Sequence, residues 1–373
     1  MVKRWDRERP ALYNLCSELL WPDVIRRSRS HPDEVVWRDT NGGTAFHHAC
    51  RFHESSEVVR EMLKTCESAG YMQDNDGSTP LHVACWNGSD EVIQLLVAAS
   101  REVVSIVDKN GKSALHLACS SWPPPSDQTI ELLLMADPEI SMLADNNGDT
   151  PLSLLCSRNQ ARMRMALECI ARDNDADAVY NGVLAPFWKQ LRLLLTANAG
   201  DRFSREDNWK LVHACTTVPD CPQLLFELAL KLHPEQVKQK WCGHFPLHLA
   251  AECPTSQLDE THRDGFYITS LLALFPKACS VPDDIGRLPL HIAIQSGKTW
   301  EYVLQKLFES YPAALLVREG QHFLLPFMVA ALSGDRNDPR ECRVHRLPPN
   351  YDLSAALELL KADPSGIKHA ISA

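Results

Sequence analysis

The strongest constraint on this chain is a seven-residue motif that occurs in eight aligned copies. Its clearest copy runs Thr-Pro-Leu-His-Val-Ala-Cys from Thr79 to Cys85, directly after the turn signal Asp76-Gly77. The copies begin at Thr44, Thr79, Ser113, Thr150, Trp209, Phe245, Leu288 and Leu325. Successive copies start 35, 34, 37, 59, 36, 43 and 37 residues apart. A recurring period of this size predicts a stack of equivalent structural units.

Each copy predicts a turn and then two helices. Thr79 suits the N-cap of the first helix, and Pro80 suits the first helical position, where a missing N–H costs nothing. A second apolar pattern follows at helical spacing, as in Val92, Ile93 and Leu96. A glycine stands two residues before six of the motifs and predicts a turn that requires a positive φ. These glycines are Gly42, Gly77, Gly111, Gly148, Gly243 and Gly286.

On these residues the chain resembles ankyrin-repeat proteins, whose signature T-P-L-H-x-A recurs at about 33 residues. The resemblance implies an all-α solenoid: helix-turn-helix repeats with hairpin or turn fingers, stacked into one curved elongated domain. It also implies that the motif histidines bond to backbone in the turns and link neighbouring fingers. The structural motif residues are then Gly77, Thr79, Pro80, Leu81, His82, His116, His248 and His291. Ser153, Val212 and Met328 replace the histidine in three copies, so those joints are expected to be looser or differently linked.

The spacing also predicts how the repeats are divided along the chain. Regular repeats have 16 or 17 residues between the second helix and the next motif, and this favours 187–197 as the second helix of repeat 4. In every long repeat the extra residues lie between the first and the second helix. This position predicts irregular loops along one edge of the stack. The predicted segments are an N-terminal capping repeat (1–38), repeats 1–3 with the start of repeat 4 (39–156), an insertion with a short helix near 162–172 (157–184), the rest of repeat 4 and repeats 5–7 into repeat 8 (185–332), and a long loop with a C-terminal capping helix (333–373).

Composition narrows the class of partner and the compartment. The net charge of -10 and pI near 5.8 argue against a general nucleic-acid binder, which needs a basic face. No apolar run reaches 18 residues, and no apolar segment follows the N-terminus, so neither a membrane span nor a secretory signal is expected. The 13 cysteines are then expected to be reduced, in the cytoplasm or the nucleus.

Clusters of histidine and cysteine could suggest zinc, as in His47-His48-x-Cys50. The repeat favours another interpretation, because five cysteines share the position after the motif alanine: Cys50, Cys85, Cys119, Cys156 and Cys215. Ala251 and Ile294 take that position in later copies, so it is predicted to be an apolar packing site. Asp145 and Asp283 could suggest calcium, but without EF-hand spacing they are predicted to be solvated turn residues. No metal site and no cofactor are expected.

The function predicted from the sequence is a non-catalytic scaffold or adaptor that binds an unidentified protein partner. The sequence contains none of the phosphate-binding, zinc-protease, serine-hydrolase or kinase motifs, so no small-molecule substrate is expected. Partners of such repeats usually meet the finger tips and the exposed end of the first helix. The candidate partner-binding residues are Arg51, Phe52, Asn75, Asp76, Trp86, Asn87, Lys109, Asn110, Lys112, Trp241, His244, Arg287 and Gln295.

Two alternatives stay open at this point. One is an enzyme or metal-dependent regulator that uses the 157–184 insertion or the 333–351 loop. The other is a nucleic-acid-associated factor that uses the basic N-terminus, although nucleic acid is not the expected partner. The basic residues of that segment are Lys3, Arg4, Arg7, Arg9, Arg26, Arg27 and Arg29.

Overall fold

The computed structural model describes residues 10–52, 55–87, 89–123, 126–173, 184–199, 210–219, 221–254, 263–333 and 353–362. Two compact units divide the chain. Unit 1 comprises 1–162 and 184–198, and unit 2 comprises 163–183 and 199–373. The described residues form helices, turns and three isolated β-bridges, and contain no β-strand. The architecture is an all-α repeat fold, as predicted.

Unit 1 pairs a short first helix with a second helix in each repeat. The segment predicted to be a capping repeat holds α1 (Ala11–Ser17) and α2 (Trp21–Ser30). The following first and second helices are α3 (Ala45–Ala49), α4 (Ser56–Thr65), α5 (Pro80–Asn87), α6 (Asp90–Ala99), α7 (Ala114–Ser120) and α8 (Asp127–Ala136). Repeat 4 begins with α9 (Pro151–Arg158), and α10 (Gln160–Asp173) follows it before α11 (Ala185–Ala199). Helices are therefore present at both segments that the spacing had singled out in repeat 4.

Unit 2 repeats the same alternation. Its helices are α12 (Leu211–Thr217), α13 (Gln223–Leu232), α14 (Pro246–Glu252), α15 (Arg263–Leu274), α16 (Pro289–Gln295), α17 (Gln305–Ser310), α18 (Pro326–Ser333) and α19 (Leu353–Ala362). A π-helical turn, Trp300–Leu304, leads into α17. The insertions before α8, α15 and α19 lie between a first and a second helix, as predicted. Residues 174–183, 255–262 and 334–352 lie outside the described residues, so the decorated edge and the domain boundaries stay predictions.

Packing within each unit forms two layers. In unit 1, first helices contact first helices in chain order from α1 to α9, and second helices contact second helices from α2 to α8. In unit 2 the first helices α12, α14, α16 and α18 pack in the same order. The motif residues Leu81, Leu115, Leu152, Leu247 and Leu290 are buried between the layers. Burial of this repeated apolar side chain is what stabilises the stacking.

The shared cysteine position is a packing position. Cys50, Cys85, Cys119, Cys156 and Cys215 are all buried, and none of the five forms a disulfide within the described part of the chain. Burial raises the pKa of the Cys119 thiol to about 12 and also raises the pKa of the Cys50 and Cys85 thiols. Cys50, Cys85 and Cys119 are therefore neutral thiols, and all five cysteines fill small apolar sites.

Several second helices end just before a proline, which cannot continue a helix. Pro138, Pro234, Pro276 and Pro312 each begin a short 3₁₀ turn immediately after α8, α13, α15 and α17. The turn returns the chain to the core, where Ile140, Val237 and Leu315 are buried. Among the described helices, none is long and apolar enough to cross a membrane.

Candidate protein-binding surface

The fingers are tight turns that require glycine. The six finger glycines all have φ between +73° and +83°. At Gly77 an added Cβ would lie 2.9 Å from the backbone nitrogen of Lys109 in the next finger. The fingers of unit 1 are also linked by backbone hydrogen bonds, in which Asn75 N donates to Asn41 O and Lys109 N donates to Asp76 O, both at 2.8 Å. Glycine is thus needed for the turn and for the close approach of its neighbour.

In most fingers an aspartate carboxylate accepts hydrogen bonds from backbone N–H groups of the same turn. Asp74 Oδ1 accepts the backbone N–H groups of Asp76 and Ser78, and Asp108 Oδ1 accepts those of Asn110 and Lys112. Asp145 and Asp283 do the same in their own fingers, and both are buried. The expectation that these two were solvated was wrong, because each is drawn into its turn by two backbone donors. Asn75 has a structural contact as well, since its Nδ2 donates to Thr40 O at 2.9 Å.

The motif histidines link one finger to the next. In His82, Nδ1 accepts the backbone N–H of Thr79 at 3.2 Å, and Nε2 donates to Lys112 O at 3.0 Å. His47, His116, His248 and His291 make the equivalent pair of bonds. Burial lowers the pKa of His82, and it lowers the pKa of His248 to about 4. These rings are therefore neutral at pH 7 and bond as the resemblance implied.

Repeat 5 has the link at a shifted position. The alignment placed Val212 at the histidine position, but the next residue, His213, carries the link through Nε2 to Gln239 O at 3.0 Å. Repeat 4 has a local substitute, in which Ser153 Oγ accepts the N–H of Thr150 at 3.0 Å. Repeat 5, where Val212 takes the histidine position, is therefore linked differently, as expected. The adjacent His213 is the sequence feature that could have indicated this link.

Unit 1 leaves a row of candidate residues exposed. Asp76, Lys109 and Asn110 are exposed finger-tip residues. Lys112 is partly covered and lies 3.8 Å from Asp145 Oδ2. At the far ends of the first helices, Arg51 is exposed and Trp86 is 55% exposed.

Two other candidates of unit 1 have contacts within the repeat fold. Phe52 is half-buried, with its ring centroid 5.8 Å from that of Trp21. Asn87 is also half-buried, and its Nδ2 donates to Val83 O at 2.7 Å. Trp122, which the sequence analysis did not single out, is 78% exposed directly after α7.

In unit 2, the prediction that Trp241 is a partner-binding residue was wrong. This residue is only 8% exposed, and its ring lies 6.3 Å from that of His213, so it packs between repeats and is no exposed anchor. The structure brings three other candidates together around Asp283. Arg287 Nε lies 2.9 Å from Asp283 Oδ2, and His244 Nε2 lies 3.7 Å from the same atom. Arg287 also donates to Gln295 Oε1 at 3.1 Å, so most polar atoms of this cluster already have partners.

The basic N-terminal segment is partly neutralised. Arg27 pairs with Glu34 and Arg29 with Glu61, while Arg26 lies 3.4 Å from Asp23. Residues 3–9 lie outside the described residues. Across the part of the chain that is described, no three His, Cys, Asp or Glu side chains converge as a metal-ligand set.

The fold and these linked fingers define an α-helical repeat protein with a preformed surface. The family model for ankyrin repeats (3 copies) matches residues 12–105, and this match supports an ankyrin-repeat protein. Such repeats are generally protein-interaction modules and are typically non-catalytic. No curated protein matches the chain.

Proposed function

We propose that this chain is a non-catalytic scaffold that binds a partner protein through the finger tips and first-helix ends of unit 1. One observation carries the proposal. The motif residues are buried and bonded, whereas the adjacent side chains of Asp76, Lys109 and Asn110 are exposed. An exposed side chain that projects from a fixed turn is available for recognition.

The rigidity of the fingers supports tight binding. Backbone ladder bonds at 2.8 Å join successive fingers, and the histidine bonds anchor each finger to the preceding first helix. A partner therefore meets a surface that is already ordered, and little conformational entropy is lost on association. The presence of Lys109 beside Asp76 gives the surface both charges, which favours a protein over a uniformly charged polymer.

The proposal is tested by capturing partners with the intact chain and measuring the affinity of the captured protein by calorimetry. Combined Lys109→Ala and Asn110→Ala substitutions should weaken the complex about tenfold or more, as loss of interface anchors does. The control variant, Arg60→Ala with Glu131→Ala, changes exposed residues on the second helices α4 and α8. Failure to capture any protein, or equal affinity for both variants, would contradict the proposal.

A further inference from the structure

Four side chains form a row across consecutive repeats of unit 1. Arg51 and Trp86 each stand seven residues after their N-caps, Trp122 stands nine after Ser113, and Arg158 stands eight after Thr150. They lie at or just beyond the C-terminal ends of α3, α5, α7 and α9, which pack side by side in that order. Packed helices are about 8–10 Å apart. We call these four residues the Arg-Trp row. The indoles of Trp86 and Trp122 form its centre, and the guanidinium groups of Arg51 and Arg158 form its ends.

The centre of the row is an exposed apolar surface. Trp122 is 78% exposed and Trp86 is 55% exposed. Trp86 lies in α5, and Trp122 lies two residues after the end of α7, the first helix that packs against α5. Exposing an indole to water is unfavourable, and tryptophan is the residue most enriched among interface anchors. Neither indole contributes to the buried core between the two helix layers.

The ends of the row are cationic. Arg51 is exposed. Arg158 Nη1 donates to Ser121 O at 3.2 Å and to Ala118 O at 3.4 Å, and Nη2 donates to Gln190 Oε1 at 3.1 Å. These three acceptors are uncharged, so they do not neutralise the positive charge of the Arg158 guanidinium. Arg162, which is exposed, adds a second cation one turn further on.

Two carboxylates close to the segment that follows Trp122 are already occupied. Asp90 Oδ1 accepts Ser126 N at 2.8 Å and Thr129 Oγ1 at 2.6 Å, while Asp127 lies 3.7 Å from Lys189 Nζ. The exposed carboxylates Glu57 and Glu91 are in the first turns of α4 and α6, where they complement helix N-termini. The first-helix side of this edge is therefore apolar at its centre and positive at both ends.

We propose that the Arg-Trp row binds an acidic peptide segment of a partner protein, whose apolar side chains pack on Trp86 and Trp122. Asp or Glu residues flanking those side chains meet Arg51 at one end and Arg158 and Arg162 at the other. The inference rests on the proposed protein-binding function and specifies the chemistry of the partner. The row is separate from the finger tips, because a first helix of seven residues holds them about 10 Å apart.

The test uses random-peptide phage display on the full chain, followed by fluorescence anisotropy of the enriched peptides. Enriched peptides should combine aromatic or aliphatic residues with Asp or Glu. Trp86→Ser combined with Trp122→Ser should weaken their binding at least tenfold, and Arg51→Glu should weaken it and reduce its salt dependence. The matched control is Met135→Ser, since Met135 is a 73% exposed apolar residue on α8 of the same unit. Thermal melts establish that every variant is folded.

The outcomes separate the two proposals. Enrichment of basic or purely polar peptides would overturn the inference, as would equal losses for the tryptophan pair and for Met135→Ser. Binding that survives the tryptophan changes but is lost with Lys109→Ala and Asn110→Ala would overturn the row and retain the finger surface. No enrichment on the intact chain would contradict both.

Discussion

At the scale of single residues, the motif separates into positions that hold the fold and positions that face solvent. His82 illustrates the first kind, since both ring nitrogens bond to backbone. Trp241 shows that the sequence alone does not always reveal whether a position holds the fold or faces solvent. Its finger position suggested exposure, but the ring is buried against His213 across a repeat boundary. A contact between repeats depends on the path of the turn, here with Cys242 at φ +47°, and motif alignment contains no such information.

Gly77→Ala should destabilise the protein by about 2–3 kcal/mol, because strained φ and a close contact add together. The φ is +79°, and the new Cβ would meet the Lys109 backbone. Gly297→Ala is the matched control, because Gly297 has φ +71° with open space around it. The control should cost only about 1 kcal/mol from the backbone conformation. Urea denaturation measures both, and equal losses would contradict the claim that finger approach excludes a side chain at residue 77.

His82→Ala should lower the free energy of unfolding by about 2–3 kcal/mol, since it leaves the buried Thr79 N–H without its acceptor and removes one of the two hydrogen bonds that Lys112 O accepts. His322→Ala, at an exposed histidine, should be within about 0.5 kcal/mol of the parent. Both values come from the same denaturation experiment. A loss at residue 322 as large as that at residue 82 would show that the histidine links do not stabilise the fingers.

At the scale of helices, most of the architecture was predictable because each repeat restates the same signals. The motif leucines and the finger glycines all lie where periodicity placed them. The helices of repeat 4 could be found despite the longest spacing, because the distance from a second helix to the next motif is nearly constant. What could not be predicted is side-chain bonding between helices, such as Arg158 to Gln190, since neither residue recurs at its position.

Arg158→Ala should destabilise unit 1 by about 1–3 kcal/mol, because it removes hydrogen bonds between α9, the end of α7 and α11. Arg162→Ala is the control, since Arg162 is exposed and donates a local hydrogen bond to Asn159. Hydrogen exchange should show faster exchange in α11 for the first variant alone. Unchanged exchange in α11 would contradict the proposed role of Arg158 in holding that helix.

At the scale of the whole molecule, the buried histidines give stability a defined pH dependence. Burial lowers the pKa of His47, His82, His116, His213, His248 and His291, with His213 and His248 near 4. Between about pH 4 and 6.5 the unfolded chain therefore binds protons that the folded chain does not. Their stabilising contribution is complete above pH 6.5 and decreases as the pH falls through this window.

Unfolding free energy measured by urea titration should thus decrease steadily from pH 6.5 to pH 4.5. Each histidine contributes at most about 1.4 kcal/mol per pH unit. The finger carboxylates Asp39 and Asp283, whose pKa values are lowered, act in the same direction but below this window, since the carboxylates of an unfolded chain titrate near pH 4. Constant stability between pH 7.5 and 5 would contradict neutral, bonded histidines in the folded state.

The central claim is that the motif holds the fold while neighbouring exposed residues bind a partner. The most direct measurement compares two variants, His82→Ala and the Lys109→Ala, Asn110→Ala pair, for both melting temperature and affinity for the captured partner. The account predicts that the first variant melts at a lower temperature and that the second loses about tenfold or more in affinity while its melting temperature is unchanged. A finger-tip variant that binds its partner as tightly as the parent chain would contradict the account.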